Sequence, residues 1–215
     1  MQVKILFHEL GHALNSVLCD NDLQHLFGAR GALDVVELPS HVLEQAVLDP
    51  RVLHQLIVSS LEGRNDSSPE GLQKVQDALL LRETFCESVG KMFSLLMPQG
   101  DALLHGQTPP STPEQFEKQY LDTVGAILPM EVPLGAFPRL SINHIVAYGG
   151  LCHSYVFADE IAKLVWDHHL SRDPLTGGDL AELLYRPGGA VNAPLALSTL
   201  LPRNATAGIQ QLLQS

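Results

Sequence analysis

The feature that most constrains this chain is the HELGH run from His8 to His12. It lies inside residues 2–18, where apolar side chains recur at helical intervals, so the run is predicted to lie on a helix. Two histidines four positions apart project from the same face of a helix, about one turn from each other. Their imidazoles can therefore bind one metal ion, and the segment is predicted to be a metal-binding helix.

The H-E-x-x-H spacing also predicts a division of labour at the metal. His8 and His12 are the expected zinc ligands, and Glu9, which follows His8, is the expected general base. A catalytic zinc ion keeps three protein ligands and one open position. The pattern therefore requires a third ligand elsewhere in the chain.

Glu37, 25 residues after His12, is the candidate for that third ligand. A second helix is predicted over residues 34–48, and it can pack against the first helix across the intervening loop. Asp34 and Glu44 lie on roughly the same face of this helix. Either could orient a ligating imidazole through its free ring N–H, and the alternative is that both are solvated helix charges.

The surroundings of the motif support the zinc interpretation over an incidental pair of histidines, since short motifs also occur by chance. Leu6, Phe7 and Leu10 make the helix apolar, and imidazoles buried in such a helix need a polar partner. Zinc would supply that partner. Gly11, inside the motif, lets another element approach closely.

Composition narrows the classes of partner. The formal net charge is −11 and no cluster of Lys and Arg occurs, so nucleic-acid binding is not expected. No apolar run is long enough for a membrane span. The three cysteines, Cys19, Cys86 and Cys152, are odd in number and widely spaced, which favours a reducing compartment.

The remaining periodicity predicts a mainly α fold: a multi-helical, zincin-like catalytic region with few short strands. Helices are predicted over residues 2–18, 34–48, 51–63, 69–97, 112–127 and 143–170, with short helical runs after Asp173, Asn192 and Asn204. Short strands or loops are expected at 128–142. Residues 1–215 are expected to form one catalytic region. Because the metal motif begins so near Met1, an N-terminal lobe and any targeting segment are expected upstream.

Two stretches around the motif resemble the thimet-oligopeptidase family of zinc metallopeptidases. The first is FHELGHALNSVL at residues 7–18, and the second runs from Gln24 to Ser40 and includes DVVELPS. The resemblance implies a largely helical fold and one Zn²⁺ per chain. It assigns the third zinc ligand to Glu37, in agreement with the spacing, and it implies no ligand at His41.

A later stretch, HIVAYGGLCHSY at residues 144–155, resembles the segment with which the family holds the substrate and the transition-state oxyanion. The resemblance implies such roles for His144, Tyr148 and Tyr155. The sequence departs from the family at Cys152 and His153, where tyrosines are usual. A third stretch, from Asp173 to Gly189, resembles the family's closing region.

These features predict a zinc-dependent metalloendopeptidase that hydrolyses peptides or precursor proteins and is a monomer. The resemblance lies nearest to family members that remove octapeptides from precursors in the mitochondrial matrix, which implies the same role and location. A general oligopeptidase of the cytosol or an organelle is the alternative in the same class. A non-catalytic zinc-binding fragment is the alternative in a different class.

Overall fold

A computed structural model describes residues 2–61, 68–128, 145, 147–170 and 177–202 of the chain. The described residues form helices joined by turns and contain no β-strand, which confirms the prediction of a mainly α fold. The short strands expected at 128–142 fall almost entirely outside this range. Within the described residues, no helix is both long and apolar enough to cross a membrane.

The first part of the chain contains four helices. The metal motif lies on the first of them, as its apolar spacing predicts. The four helices are α1 Gln2–Leu18, α2 Leu33–Val36, α3 Leu38–Ala46 and α4 Pro50–Leu61, and a short 3₁₀ helix lies between the first two at Gln24–Leu26.

The single helix predicted over 34–48 is wrong, because the chain forms two helices that meet at Glu37. Pro39 has no N–H to continue a backbone ladder, so it is tolerated only in the first turn of a new helix. The break puts Glu37 directly before α3.

The middle of the chain contains three helices, two of which begin at a side-chain cap. They are α5 Pro69–Ser94, α6 Leu96–His105 and α7 Pro113–Ile127. The Ser68 hydroxyl accepts a hydrogen bond from the Gly71 N–H at the start of α5, and Thr112 accepts one from Gln115 N–H at the start of α7. The α6 helix was not predicted.

The long helix predicted over 143–170 is also wrong in its first part. A turn occupies residues 148–150, and the helix α8 begins only at His153 and runs to Val165, followed by a π-helical turn at Trp166–Leu170. Gly150 lies in the turn with φ +80°, in the left-handed region that ends a helix and favours glycine.

The last helices are α9 Gly177–Leu180, continued by a π-helix at Ala181–Tyr185, and α10 Ala193–Leu200. The helical run predicted after Asn204 lies outside the described residues.

The chain divides into two compact units. The first comprises residues 1–77 and 157–215, and the second comprises residues 78–156. Each unit has its own apolar cluster. Leu38, Val42 and Val165 are among the buried side chains of the first, and Leu96, Phe116 and Val124 are among those of the second.

Candidate metal centre

The site in the first unit is built on a close contact between α1 and α3. Gly11 of α1 lies so near the α3 backbone that a Cβ atom there would be 2.5 Å from the Cα of Ser40. Only glycine permits this approach. The start of α3 is held from its other side by Tyr185, whose hydroxyl donates a hydrogen bond of 3.0 Å to the Pro39 carbonyl. Burial raises the pKa of Tyr185 to about 12, so the phenol keeps the proton it donates.

This contact brings three donor atoms together. The Nε2 atoms of His8 and His12 are 3.2 Å apart. The Oε2 atom of Glu37 is 3.3 Å from His12 Nε2 and 3.6 Å from His8 Nε2. Glu37 is buried, with 8% of its surface exposed. Burial alone would raise the pKa of the Glu37 carboxyl, but the hydrogen bond from His12 and the nearby imidazoles outweigh it, so the pKa lies below its ordinary value.

The spacing of these atoms fits a tetrahedral metal ion. Zinc binds histidine nitrogen and carboxylate oxygen at about 2.0–2.2 Å, so neighbouring ligands of a tetrahedral ion lie about 3.3 Å apart. The three measured separations, 3.2, 3.3 and 3.6 Å, are close to that value. Two imidazoles and a carboxylate are also a ligand set that a catalytic zinc ion uses. The residues therefore fit zinc.

Glu44 holds the imidazole of His8 from behind. Its Oε1 lies 2.6 Å from His8 Nδ1, and Lys4 Nζ lies 3.4 Å from its other oxygen. A carboxylate in this position accepts the Nδ1–H and leaves Nε2 with its lone pair directed at Glu37 and His12. The hydrogen bond to Glu44 is the largest cause of a raised pKa at His8.

A second set of possible ligands, His8, His41 and Glu44, overlaps with the first. His41 Nδ1 lies 3.4 Å from Glu44 Oε1 and 3.7 Å from Asp159 Oδ1. This set is the weaker metal site for two reasons. It needs His8 Nδ1, which already shares a short hydrogen bond with Glu44, and it lies beside the positive charge of Lys4. Burial lowers the pKa of His41, so its imidazole is a neutral neighbour of the centre.

Glu9 lies beside the ligands without joining them. It is exposed, and it belongs to neither group of possible ligands. Its charge contributes to the raised pKa of His8. This is the arrangement expected of a base that faces solvent next to a metal.

The other predicted site residues are distributed as follows. The Asp34 backbone belongs to α2, and its side chain lies outside the described part of the structure, as does the whole of His144. Tyr148 and Tyr155 belong to the second unit, where Tyr148 has 39% of its surface exposed and Tyr155 is half-buried. His12 Nδ1 is buried and has no hydrogen-bond partner among the described residues.

Sequence reasoning missed the charged residues around Glu44 and His41. Lys4, His41 and Asp159 come from three different helices, and Lys163 donates a hydrogen bond of 2.7 Å to Asp159 Oδ2. The only local signals were two pairs at helical spacing, Glu37 with His41 and Asp159 with Lys163. Neither spacing says which other helix the pair meets.

The helical scaffold, the His8–His12 pair on α1 and the carboxylate at the start of α3 form a group that could hold a metal ion in the HExxH manner. The chain matches the model of Peptidase family M3 over residues 1–209. It belongs to that family.

Individual relatives agree with this assignment. A mitochondrial intermediate peptidase of Arabidopsis thaliana is 29% identical to this chain, over 93% of the chain's length. Those of Candida glabrata and Vanderwaltozyma polyspora are each 32% identical to it, over 94% and 81% of the chain's length respectively. The matched segments make up 28%, 26% and 22% of those three relatives. The chain therefore spans about a quarter of the length of the relatives it matches.

Replacing Glu44 with alanine should weaken zinc binding by about 10–100-fold, because His8 then loses the acceptor that orients its ring and fixes its tautomer. The measurement is a competition titration of the purified chain with a chromogenic zinc chelator. Glu70→Ala, at an exposed glutamate in the first turn of α5, is the control and should leave the affinity unchanged. Equal affinities for the two variants would contradict the role given to Glu44.

Cys86 and Cys152 should differ sharply in reactivity. Cys152 is fully buried, and burial together with the nearby Asp101 charge raises its pKa to about 11. At pH 8 it therefore remains a thiol rather than the nucleophilic thiolate. Cys86 is exposed. Mass spectrometry after brief treatment with iodoacetamide should find Cys86 alkylated and Cys152 unmodified until the chain is unfolded; alkylation of both at one rate would contradict this burial.

Proposed function

We propose that this chain carries the catalytic centre of a zinc-dependent metalloendopeptidase, with His8, His12 and Glu37 as the zinc ligands. The observation that carries the proposal is the set of three donor atoms, two from α1 and one from the residue directly before α3, at the mutual distances of a tetrahedral site. Membership of Peptidase family M3 supports the reaction class. One Zn²⁺ per chain is expected.

Bound zinc would supply Lewis acidity, polarising the scissile carbonyl and lowering the pKa of water from about 16 towards 7. The chain's own residues handle the protons. Glu9 accepts a proton from the attacking water at its carboxylate and delivers it to the nitrogen of the leaving amine, so the peptide bond is replaced by a new carboxyl and a new amine. Glu44 keeps His8 in the tautomer that binds metal through Nε2, and Asp34 is proposed to do the same for His12.

The proposal extends to His144, Tyr148 and Tyr155 through the family resemblance of residues 144–155. Phenol hydroxyls directed at the oxygen where negative charge develops stabilise the transition state more than the ground state. This part of the proposal rests on the matched sequence. It predicts that phenylalanine at either tyrosine lowers kcat more than it raises KM.

The substrate we propose is a precursor protein from which a short N-terminal peptide is removed in the mitochondrial matrix. The support is that the relatives named above are mitochondrial intermediate peptidases. The alternative substrate class is short peptides in general. Side-by-side cleavage of a precursor bearing an octapeptide and of a generic short peptide tests the choice, and equal turnover would argue against the processing role.

The experiment for the catalytic proposal itself is hydrolysis of a quenched fluorescent peptide library by the purified chain. Activity should disappear with a chelator and return with one equivalent of zinc.

We propose that residues 1–215 form one catalytic region that holds this zinc ion. A chain that binds one zinc ion but hydrolyses no peptide would instead be a non-catalytic zinc-binding segment.

A further inference from the structure

A buried carboxylate in the second unit holds the turn that separates the two tyrosines. Asp101, near the end of α6, has only 2% of its surface exposed. Its Oδ1 accepts hydrogen bonds from the Gly150 N–H at 2.8 Å and from His105 Nδ1 at 2.8 Å, and its Oδ2 accepts one from the Cys152 N–H at 2.9 Å. A buried carboxylate is tolerated only when it is satisfied in this way.

These hydrogen bonds are strong enough to keep Asp101 ionised. Burial opposes ionisation, but the N–H groups of Gly150 and Cys152 and the His105 ring outweigh it, so the pKa of Asp101 lies below its ordinary value. Hydrogen bonds to a charged acceptor are roughly twice as strong as those between neutral groups. The turn is therefore fixed to α6 at two backbone positions by one ionised side chain.

Asp101 and its hydrogen bonds to the Gly150 and Cys152 N–H groups are called the clamp below. The turn at residues 148–151 has the geometry that this clamp needs. Leu151 N–H donates to the Tyr148 carbonyl at 2.9 Å, which closes a four-residue turn, and Gly150 occupies its third position with φ +80°. The His105 ring covers Gly149 so closely that a Cβ there would lie 2.6 Å from Nε2. Beyond the turn, the Ser154 hydroxyl donates a hydrogen bond of 2.7 Å to the Leu151 carbonyl, where α8 begins.

The location of the clamp gives it a role. Tyr148 opens the turn and Tyr155 lies in the first turn of α8, immediately beyond it. The spacing between the two phenols therefore depends on the backbone that Asp101 holds. A glycine-containing turn without such an anchor samples many conformations. Ordering that turn in each catalytic cycle would cost conformational entropy, which would offset part of the transition-state stabilisation that the two tyrosines provide.

We propose that Asp101 is a positioning residue for Tyr148 and Tyr155, with His105 as its supporting partner. The inference rests on the proposed function, because it gives the two tyrosines their catalytic task. Asp101 acts through the backbone of the turn and does not itself contact the substrate.

The first arm of the test needs no substrate. Hydrogen–deuterium exchange measured by NMR on the full chain should find the Gly150 and Cys152 amides protected in the wild type. In Asp101→Ala both should exchange about tenfold faster or more. Two milder variants guard against loss of folding in Asp101→Ala. Asp101→Asn retains one carbonyl acceptor, and His105→Ala removes only the exposed partner. Both should show exchange rates between those of the wild type and Asp101→Ala. Gly125→Ala, where a new Cβ meets nothing within 4 Å, is the control. Unchanged protection in all three variants would overturn the inference.

The second arm is a double-mutant cycle on peptide hydrolysis. Asp101→Ala should lower kcat by about tenfold with little change in KM, because the lost interaction is made in the transition state. In a Tyr148→Phe, Tyr155→Phe background the same substitution should have almost no further effect. A merely structural role would lower kcat by the same factor in both backgrounds, and that result would overturn the positioning role. A wild-type chain that hydrolyses no peptide contradicts the proposed function instead, and the exchange arm still decides whether the clamp exists.

Discussion

Replacing Glu9 with glutamine should lower peptide hydrolysis by about 10²–10⁴-fold while the chain still binds one zinc ion. The amide keeps the size and the hydrogen-bonding shape of the carboxylate but cannot accept a proton from water. Glu9 is exposed and belongs to neither ligand group, so the substitution leaves His8, His12 and Glu37 in place. The measurement is kcat/KM on a quenched fluorescent peptide together with zinc content by mass spectrometry.

Glu37→Gln is the informative comparison for this result, since it is the same chemical change at the glutamate proposed as a zinc ligand. It should lower zinc content and activity together, because a buried neutral amide is a poorer zinc ligand than a carboxylate. If Glu9→Gln also lost its zinc, Glu9 would hold the metal or the helix rather than move a proton, and the mechanism proposed above would be wrong.

Replacing Gly11 with alanine should separate α1 from α3 and so weaken both the fold and the metal centre. The new Cβ would lie 2.5 Å from the Ser40 Cα and 3.0 Å from the Pro39 oxygen, and backbone atoms cannot move aside as the end of a side chain can. Overpacking of this kind costs about 1–3 kcal/mol in the free energy of unfolding. Because His8 and His12 move relative to Glu37, zinc affinity should fall by about tenfold or more.

Gly90→Ala provides a matched control, as Gly90 also lies inside a long helix and a Cβ there meets nothing within 4 Å. Alanine is the better helix former, so this variant should be more stable by up to about 1 kcal/mol and should bind zinc normally. Denaturant unfolding and zinc titration of both variants make the comparison. Equal stability and equal zinc affinity would mean that the contact between α1 and α3 does not set the site.

The sequence could predict the parts of the site that depend on local spacing. His8 and His12 share a helical face because they are four residues apart, and the structure brings Glu37 to them. The break at Glu37 was harder to foresee. Pro39 is compatible both with the first turn of one helix and with a junction between two, and the tertiary contact at Gly11 decides in favour of the junction.

The parts that could not be predicted depend on contacts between distant segments. Asp101 is an ordinary helical aspartate in the sequence, and its role comes from N–H groups 49 and 51 residues farther along the chain. Those same hydrogen bonds, with Gly150 in the left-handed region, interrupt the helix predicted over 143–170. Apolar periodicity continues through the turn, so the pattern alone favoured an unbroken helix.

Anomalous diffraction at the zinc edge, from crystals of the zinc-loaded chain, would locate the metal ion and the atoms around it. We expect one strong peak per chain, about 2.0–2.2 Å from His8 Nε2, His12 Nε2 and a carboxylate oxygen of Glu37. A peak bound instead by His41 and Glu44, or the absence of any peak between α1 and α3, would contradict this expectation.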